Sequence, residues 1–362
     1  MTPVAVAVGR GGHIGRVPAS IAVAGLAAIL LVVTVVACGV GAFAIAPGDV
    51  LRIGLHALGI GGNEGFSAEQ QQVLTSIRLP RVLLALTVGA GLGIAGAAMQ
   101  ALFRNPLADP SLTGVSGGAA LAAATVIVMG ATWFPGLARS LGVATLPVAA
   151  FAGSLVVSVL VYRMATRSGH TAIAALLLAG VALNAVAEAG IGLFTFIAND
   201  EQLRNLTFWR LGSVAGATWP ILACIVPAVL VSSVLLMSNR AAYDALTLGE
   251  AEARHLGVPV EQVKTVTLIC CALATGTAVA VSGMIFFVGL VAPHVVRLAC
   301  GPAHRAVLPG AMLVGAILVV AADAVGRTLV APAELPLGVF TALIGSPFFI
   351  ALLLRAREAW SL

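Results

Sequence analysis

The sequence specifies an all-α polytopic membrane protein, with about ten transmembrane helices in one domain covering residues 1–362. Three observations carry this. Hydrophobic residues make up 60% of the chain and charged residues only 9%, where a soluble domain carries about 25% charged. Mean hydropathy is +1.08. Apolar runs near the ~20 residues needed to cross a hydrocarbon core recur along the whole length. No polar stretch is long enough for a separate soluble domain, which overrides the soft two-domain expectation from length. Lipid offers no partners to open backbone groups, so each crossing is expected to be a helix.

The first run, 18–45, follows Arg10 and Arg16. Its Ala42-Phe43-Ala44 mimics a signal-peptidase site, but a signal core is about 7–15 residues, and this run is far longer. It reads as an uncleaved span. Nine more follow at 81–103, 114–133, 146–164, 172–197, 218–238, 263–282, 284–299, 307–326 and 337–355. The break between the seventh and eighth rests on Ser282-Gly283 alone. With the N-terminus inside, 12 basic residues fall in inner segments and 7 in outer ones, a moderate positive-inside bias that supports both termini inside. The inner set runs from Arg10 and Arg16 to Arg355 and Arg357.

The net charge of +5 does not indicate nucleic acid, because the basic residues stand singly at the ends of apolar runs. The 5 cysteines form no C-x-x-C pair and read as small core residues. Gly89, Gly91, Gly93 and Gly96 let helices approach closely. The outer loops 47–79 and 198–217 read as partly helical. The inner loop 239–262 is the most polar inner segment and is punctuated by Gly249, Gly257 and Pro259.

No catalytic set and no metal set stands at the required spacing within any span, and no cofactor is expected on this chain. A phosphate-binding loop needs G-x-x-x-x-G-K-[ST]. The chain has one lysine, Lys264, and Val263 precedes it. Any ATP energy must therefore come from a partner. Gly180, Asn184, Glu188 and Gly192 recur every fourth residue in the fifth span, which places them on one stripe. A carboxylate within a span is costly and faces a cavity or a partner, so Glu188 reads equally as a path residue or as an interhelical hydrogen bond. Arg78 and Arg81, three apart, share a helix face.

Several motifs in order resemble one family. Arg78-Leu79-Pro80-Arg81 opens the second span, and Gly96-Ala97-Ala98-Met99-Gln100 through Asn105-Pro106-Leu107-Ala108-Asp109-Pro110 closes it. Gly114-Val115-Ser116-Gly117-Gly118 begins the third. Leu176-Leu177-Leu178-Ala179-Gly180, Val288-Gly289-Leu290-Val291-Ala292-Pro293-His294, Ala333-Glu334-Leu335-Pro336-Leu337-Gly338 and Gly345-Ser346-Pro347-Phe348 follow. Together these resemble the FecCD-type permeases, the membrane subunits of bacterial ABC importers for iron-siderophores, haem and cobalamin.

The resemblance implies a type II ABC importer permease fold in the bacterial inner membrane. It implies a second copy of the chain, two cytosolic ATPase subunits that hold ATP and Mg, and a periplasmic substrate-binding protein. It implies that Leu248, Gly249, Glu250, Ala253, Leu256 and Gly257 form the ATPase-coupling segment, against the alternative of a solvated loop. By the same resemblance Arg78, Arg81 and Arg327 dock the binding protein, against simple interfacial anchoring. The cytoplasmic gate falls at Ala172 and Ile173, where the cobalamin type carries small hydroxyl residues. Asn184 and Glu188 lie on the path-lining fifth span. His170 and His294 read as structural. Leu203-Arg204-Asn205-Leu206-Thr207-Phe208-Trp209 and the 330–334 stretch are similar to the haem branch, so haem ranks ahead of a ferric siderophore and cobalamin. A proton-coupled secondary transporter using Glu188 is a remote alternative, as is an intramembrane enzyme.

Overall fold

The computed structural model describes residues 18–57, 59–60, 65–330 and 333–360, without the side chains of 137, 138, 352, 353 and 355–360. Arg10, Arg16, Ala331, Pro332 and the side chains of Arg355 and Arg357 therefore lie outside the described residues. So does the topology argument that rests on them.

Ten apolar helices stand where ten spans are expected. They are α1 (Ala19–Gly39), α4 (Leu79–Phe103), α5 (Val115–Trp133), α7 (Thr145–Ala165), α8 (Ile173–Ile197), α10 (Trp219–Ser238), α13 (Val260–Ser282), α14 (Val288–Cys300), α15 (His304–Gly326) and α16 (Leu337–Trp360). Shorter helices lie between them: α2 (Pro47–Ala57), α3 (Ala68–Val73), α6 (Pro135–Leu141), α9 (Asp200–Leu211), α11 (Arg240–Leu246) and α12 (Glu250–His255). Among the described residues eight helices are long and apolar enough to cross a membrane; α14 and the apolar part of α16, Leu337–Ala351, are shorter.

Two helices that are apolar on every side take opposite places. From Thr87 to Phe103 every residue of α4 is buried, whereas α1 buries only Ala37, Cys38 and Gly39. The difference lies in side-chain size. The small residues of α4 admit neighbouring backbones: a Cβ on Gly93 would overlap the Ala311 carbonyl of α15, and one on Gly96 the Gly289 carbonyl of α14. The close packing expected of these glycines is thus realised. The bulky Ile21, Ile29, Leu31 and Val32 of α1 stay exposed, as suits a helix facing lipid.

Three features differ from the expected layout. The second span is longer than 81–103, because α3, a π turn at Leu74–Arg78 and α4 run on as one helix from Ala68 to Phe103. The eighth is shorter. Gly283 (φ 67) breaks the helix as expected, but residues 283–287 stay non-helical and Phe287 (φ 65) delays the restart until Val288. At ~1.5 Å per residue α14 rises about 20 Å, short of a ~30 Å core. The open backbone is tolerated because it is held inside protein: Ser213 N–H donates to Ser282 O (2.7 Å) and Phe286 N–H to Thr341 Oγ1 (3.3 Å). Third, the turn before α8 is a two-stranded hairpin, β1 (Thr166–Arg167) with β2 (His170–Thr171). Ser168 (φ 51) and Gly169 (φ 77) are both left-handed, the signature of a tight two-residue turn.

Candidate functional site

The bundle has two decorated ends. At one end, α11 and α12 follow α10. Gly249 precedes α12 at φ 131, ψ 155 and Gly257 follows it at φ 84. These conformations favour glycine, so the six-residue helix is bounded as its glycines suggest. Ala253 is fully buried and anchors α12 to the core, while Leu248 and Leu256 are 66% and 65% exposed. Two leucines are thus held outward beside a short helix on a polar end, an exposed apolar pair. Glu250 faces inward to Lys264 Nζ at 2.7 Å.

Ala172 and Ile173, where the resemblance puts the gate, adjoin the hairpin. Ala172 is the exposed N-cap of α8, and its N–H donates to Ala165 O at 3.0 Å. Ile173 is half-buried against the core. Thr166 and Thr171 share a hydroxyl hydrogen bond of 3.0 Å. His170 is largely exposed, 3.7 Å from Glu261 Oε1. His294 stacks edge-on to Phe348 at 5.6 Å, which suits the structural part expected of it.

The four-residue stripe of α8 does not stay on one face. Gly180 is pressed to the Leu112 carbonyl. Asn184 donates to Ser111 O at 3.1 Å and packs against Gly117. Glu188 and Gly192 are exposed. Four residues at about 100° each overshoot a turn by about 40°, so three steps rotate the stripe by about 120°. Asn184 is thereby an interhelical bond to the 110–113 turn. Glu188 pairs with Arg210 of α9 at 3.1 Å, both partly exposed.

At the other end Arg78 and Arg327 meet the end of α1, and Arg81 lies beside them. Arg78 donates to the carbonyls of Cys38 (2.8 Å), Gly39 (2.7 Å) and Phe43. Arg327 donates to Ala37 O at 2.6 Å and pairs with Asp323 at 3.5 Å. The last carbonyls of a helix have no intrahelical partner, and positive charge there meets the negative end of the helix dipole. Arg78 and Arg327 are only 5% and 8% exposed. In the free chain neither is turned fully outward: Arg78 donates to the end of α1 and the loop after it, and Arg327 to Ala37 O. Arg81 lies at the rim, bridging buried Asp323 (2.8 Å) and half-exposed Glu334 (2.8 Å). The Arg81 guanidinium holds the Glu334 carboxyl below the usual carboxylate range.

On this same end α9 starts with a capping box between Asn199 and Gln202. Its exposed face carries Arg204 and Phe208 one turn apart. Among the described residues Arg204 makes no ion pair, whereas Arg210 is taken by Glu188 and Trp209 packs into a core cluster.

Lys264, Glu261, Asp323 and Arg210's link to Glu188 are what sequence reasoning did not single out as contacts. A signal existed for the first three: each is a charge within or at the end of an apolar run, where burial without a partner is expensive.

A family model, the FecCD transport family, matches residues 29–355. The hemin transport system permease protein HmuU of Yersinia pestis is 47% identical over 78% of this chain and 83% of the relative. The cobalamin import system permease protein BtuC of Halobacterium salinarum is 41% identical over 82% and 77%. The vitamin B12 import system permease protein BtuC of Citrobacter koseri is 38% identical over 92% and 94%. Among solved structures, a chain assigned to the metal-chelate type of ABC transporter, in an inward-facing conformation, superposes with a TM-score of 0.79. It is 31% identical, over 92% of this chain and 98% of that one.

Proposed function

The chain belongs to the FecCD transport family, and from that premise we propose that it is the permease subunit of an ATP-driven importer carrying haem across the bacterial inner membrane. It works as a pair of copies with both termini cytoplasmic. Two cytosolic ATPase subunits supply ATP and Mg chemistry, and a periplasmic binding protein delivers the substrate. The observation that carries this reading is the glycine-bounded α12, with Leu248 and Leu256 exposed beside it, in a chain with no phosphate-binding loop of its own. A bundle that cannot hydrolyse nucleotide but presents an apolar knob is built to be driven from outside.

Haem is favoured over the siderophore and cobalamin alternatives by the 47% identity to a hemin permease and by α9. A porphyrin is flat and apolar, with two carboxylates at one edge. Phe208 offers the flat surface and unpaired Arg204 a charge for a carboxylate. Reconstitution with the cognate ATPase and binding protein is expected to give haem uptake into liposomes and haem-stimulated ATP hydrolysis. The permease alone is expected to hydrolyse none. Uptake of cobalamin or a ferric siderophore with no response to haem would overturn the substrate; hydrolysis by the isolated chain would overturn the subunit assignment.

Docking of the binding protein centres on Arg81, because it is the cluster's rim charge. Glu334 occupies it in the free permease, so an incoming carboxylate must displace Glu334. Glu334→Gln is therefore expected to tighten docking by up to about 5-fold, matching the at most ~1 kcal/mol of an exposed pair. Arg81→Glu should weaken it, most at low salt. Surface-plasmon titration of the binding protein checks both; a weaker complex for Glu334→Gln removes the competitor idea.

A further inference from the structure

The chain's one lysine is almost completely buried, at 3% exposed, near the start of α13. Burying an ammonium is costly unless its charge and hydrogens are matched. Lys264 Nζ is matched three times, by three different elements. It donates to Glu250 Oε2 of α12 at 2.7 Å, to Glu261 Oε1 of its own helix at 3.2 Å, and to the Thr171 carbonyl of the hairpin at 3.1 Å. Glu261 closes the other side of Thr171, accepting its N–H at 3.0 Å through Oε2. Thr171 is thus held at both its backbone groups. The next residue, Ala172, caps α8. Arg254 of α12 adds a second tie to Glu261 at 3.2 Å.

We propose that Lys264 is a positioning residue that locks α12 to the hairpin at 166–171, so that a displacement of α12 is delivered to the start of α8. The ammonium sits between a side chain of the helix beside the exposed leucines and a backbone carbonyl one residue from Ala172. A shift of α12 cannot leave the hairpin behind without stranding a buried charge, which makes the joint stiff. Lysine's compact charge with three donors suits three acceptors from three directions. The idea rests on the coupling and gate placements above and assigns the link between them.

The test uses the whole reconstituted transporter and reads haem delivered per ATP hydrolysed. Lys264→Gln is expected to lower that ratio about tenfold, within the range typical of coupling between sites. Lys264→Arg, which keeps the charge, is expected to restore most of it. Glu250→Gln removes one acceptor on a part-exposed residue and should lower the ratio in the same direction, even if Lys264→Gln does not assemble. The double variant should be no worse than the poorer single one. A merely structural role would lower assembly, uptake and hydrolysis together, with the ratio unchanged. That result, or full coupling in both Lys264→Gln and Glu250→Gln, overturns the proposal. A wild-type complex that hydrolyses ATP without moving haem sinks the parent reading instead.

Discussion

Gly249→Leu is expected to abolish uptake while leaving the ten-helix bundle folded. Gly249 sits at φ 131, ψ 155, a region close to glycine-only, where another residue costs ~1–3 kcal/mol. A Cβ there would also meet the carboxylate of exposed Glu252, which can swing aside. The backbone strain is relieved only by moving the start of α12 together with Leu248. A loss on the order of a hundredfold is expected, comparable to that of other geometry-dependent steps misplaced by ~1 Å. Gly249 is itself buried and precedes Glu250, whose carboxylate holds buried Lys264, so the melting temperature in detergent should fall as well, and uptake is read on complexes shown to assemble. Leu248→Asp is the companion variant. It leaves the backbone alone and removes the apolar contact, and it should lose uptake as well. Rapid uptake by an assembled Gly249→Leu complex would refute the coupling assignment.

The helices were legible because each crossing must hide its own backbone, so an apolar run of sufficient length has one outcome. The place of α4 at the centre and α1 at the edge could also be read, from glycine and alanine in one and isoleucine, leucine and valine in the other. The shortening of α14 could not. Gly283 signals a break, but the length of the break is set by Ser213, Thr341 and the end of α9, which are distant in sequence.

The site divided in the same way. Glycines at 249 and 257 announced a bounded helix because their demand is local. The Lys264 joint is not local: its partners lie at 171 and 250, and pairing them requires the fold. The fifth-span stripe failed for a geometric reason, since a four-residue repeat drifts off a 3.6-residue helix. The sequence puts the arginines at one end, but their partners in the free chain depend on the fold. A basic pair at a helix end looks the same whether it meets water or the unpaired carbonyls of a neighbouring helix.

That distinction sets the expected outcome for Arg78→Glu. The Arg78 side chain is buried against three carbonyl oxygens at the end of α1. A glutamate there would place negative charge among those oxygens and remove the Arg78 donors from Cys38 O and Phe43 O, while Gly39 O keeps only Ile45 N–H. Breaking such a buried arrangement costs about 3–5 kcal/mol, enough to release the C-terminal turn of α1 from α4 and α15. Arg327 cannot compensate, because it is already bound to Ala37 O and Asp323. The variant should melt at a clearly lower temperature in detergent, with little dependence on salt because the pairs are screened from water. Arg78→Lys keeps a donor and a charge and should recover part of the loss. Arg81→Glu should weaken docking of the binding protein in a salt-dependent way through the loss of its surface pair with Glu334, and should also lower the melting temperature because it strands buried Asp323. If Arg78→Glu melts as the wild type does but fails to dock the binding protein, Arg78 is a docking charge after all and its hold on α1 contributes nothing.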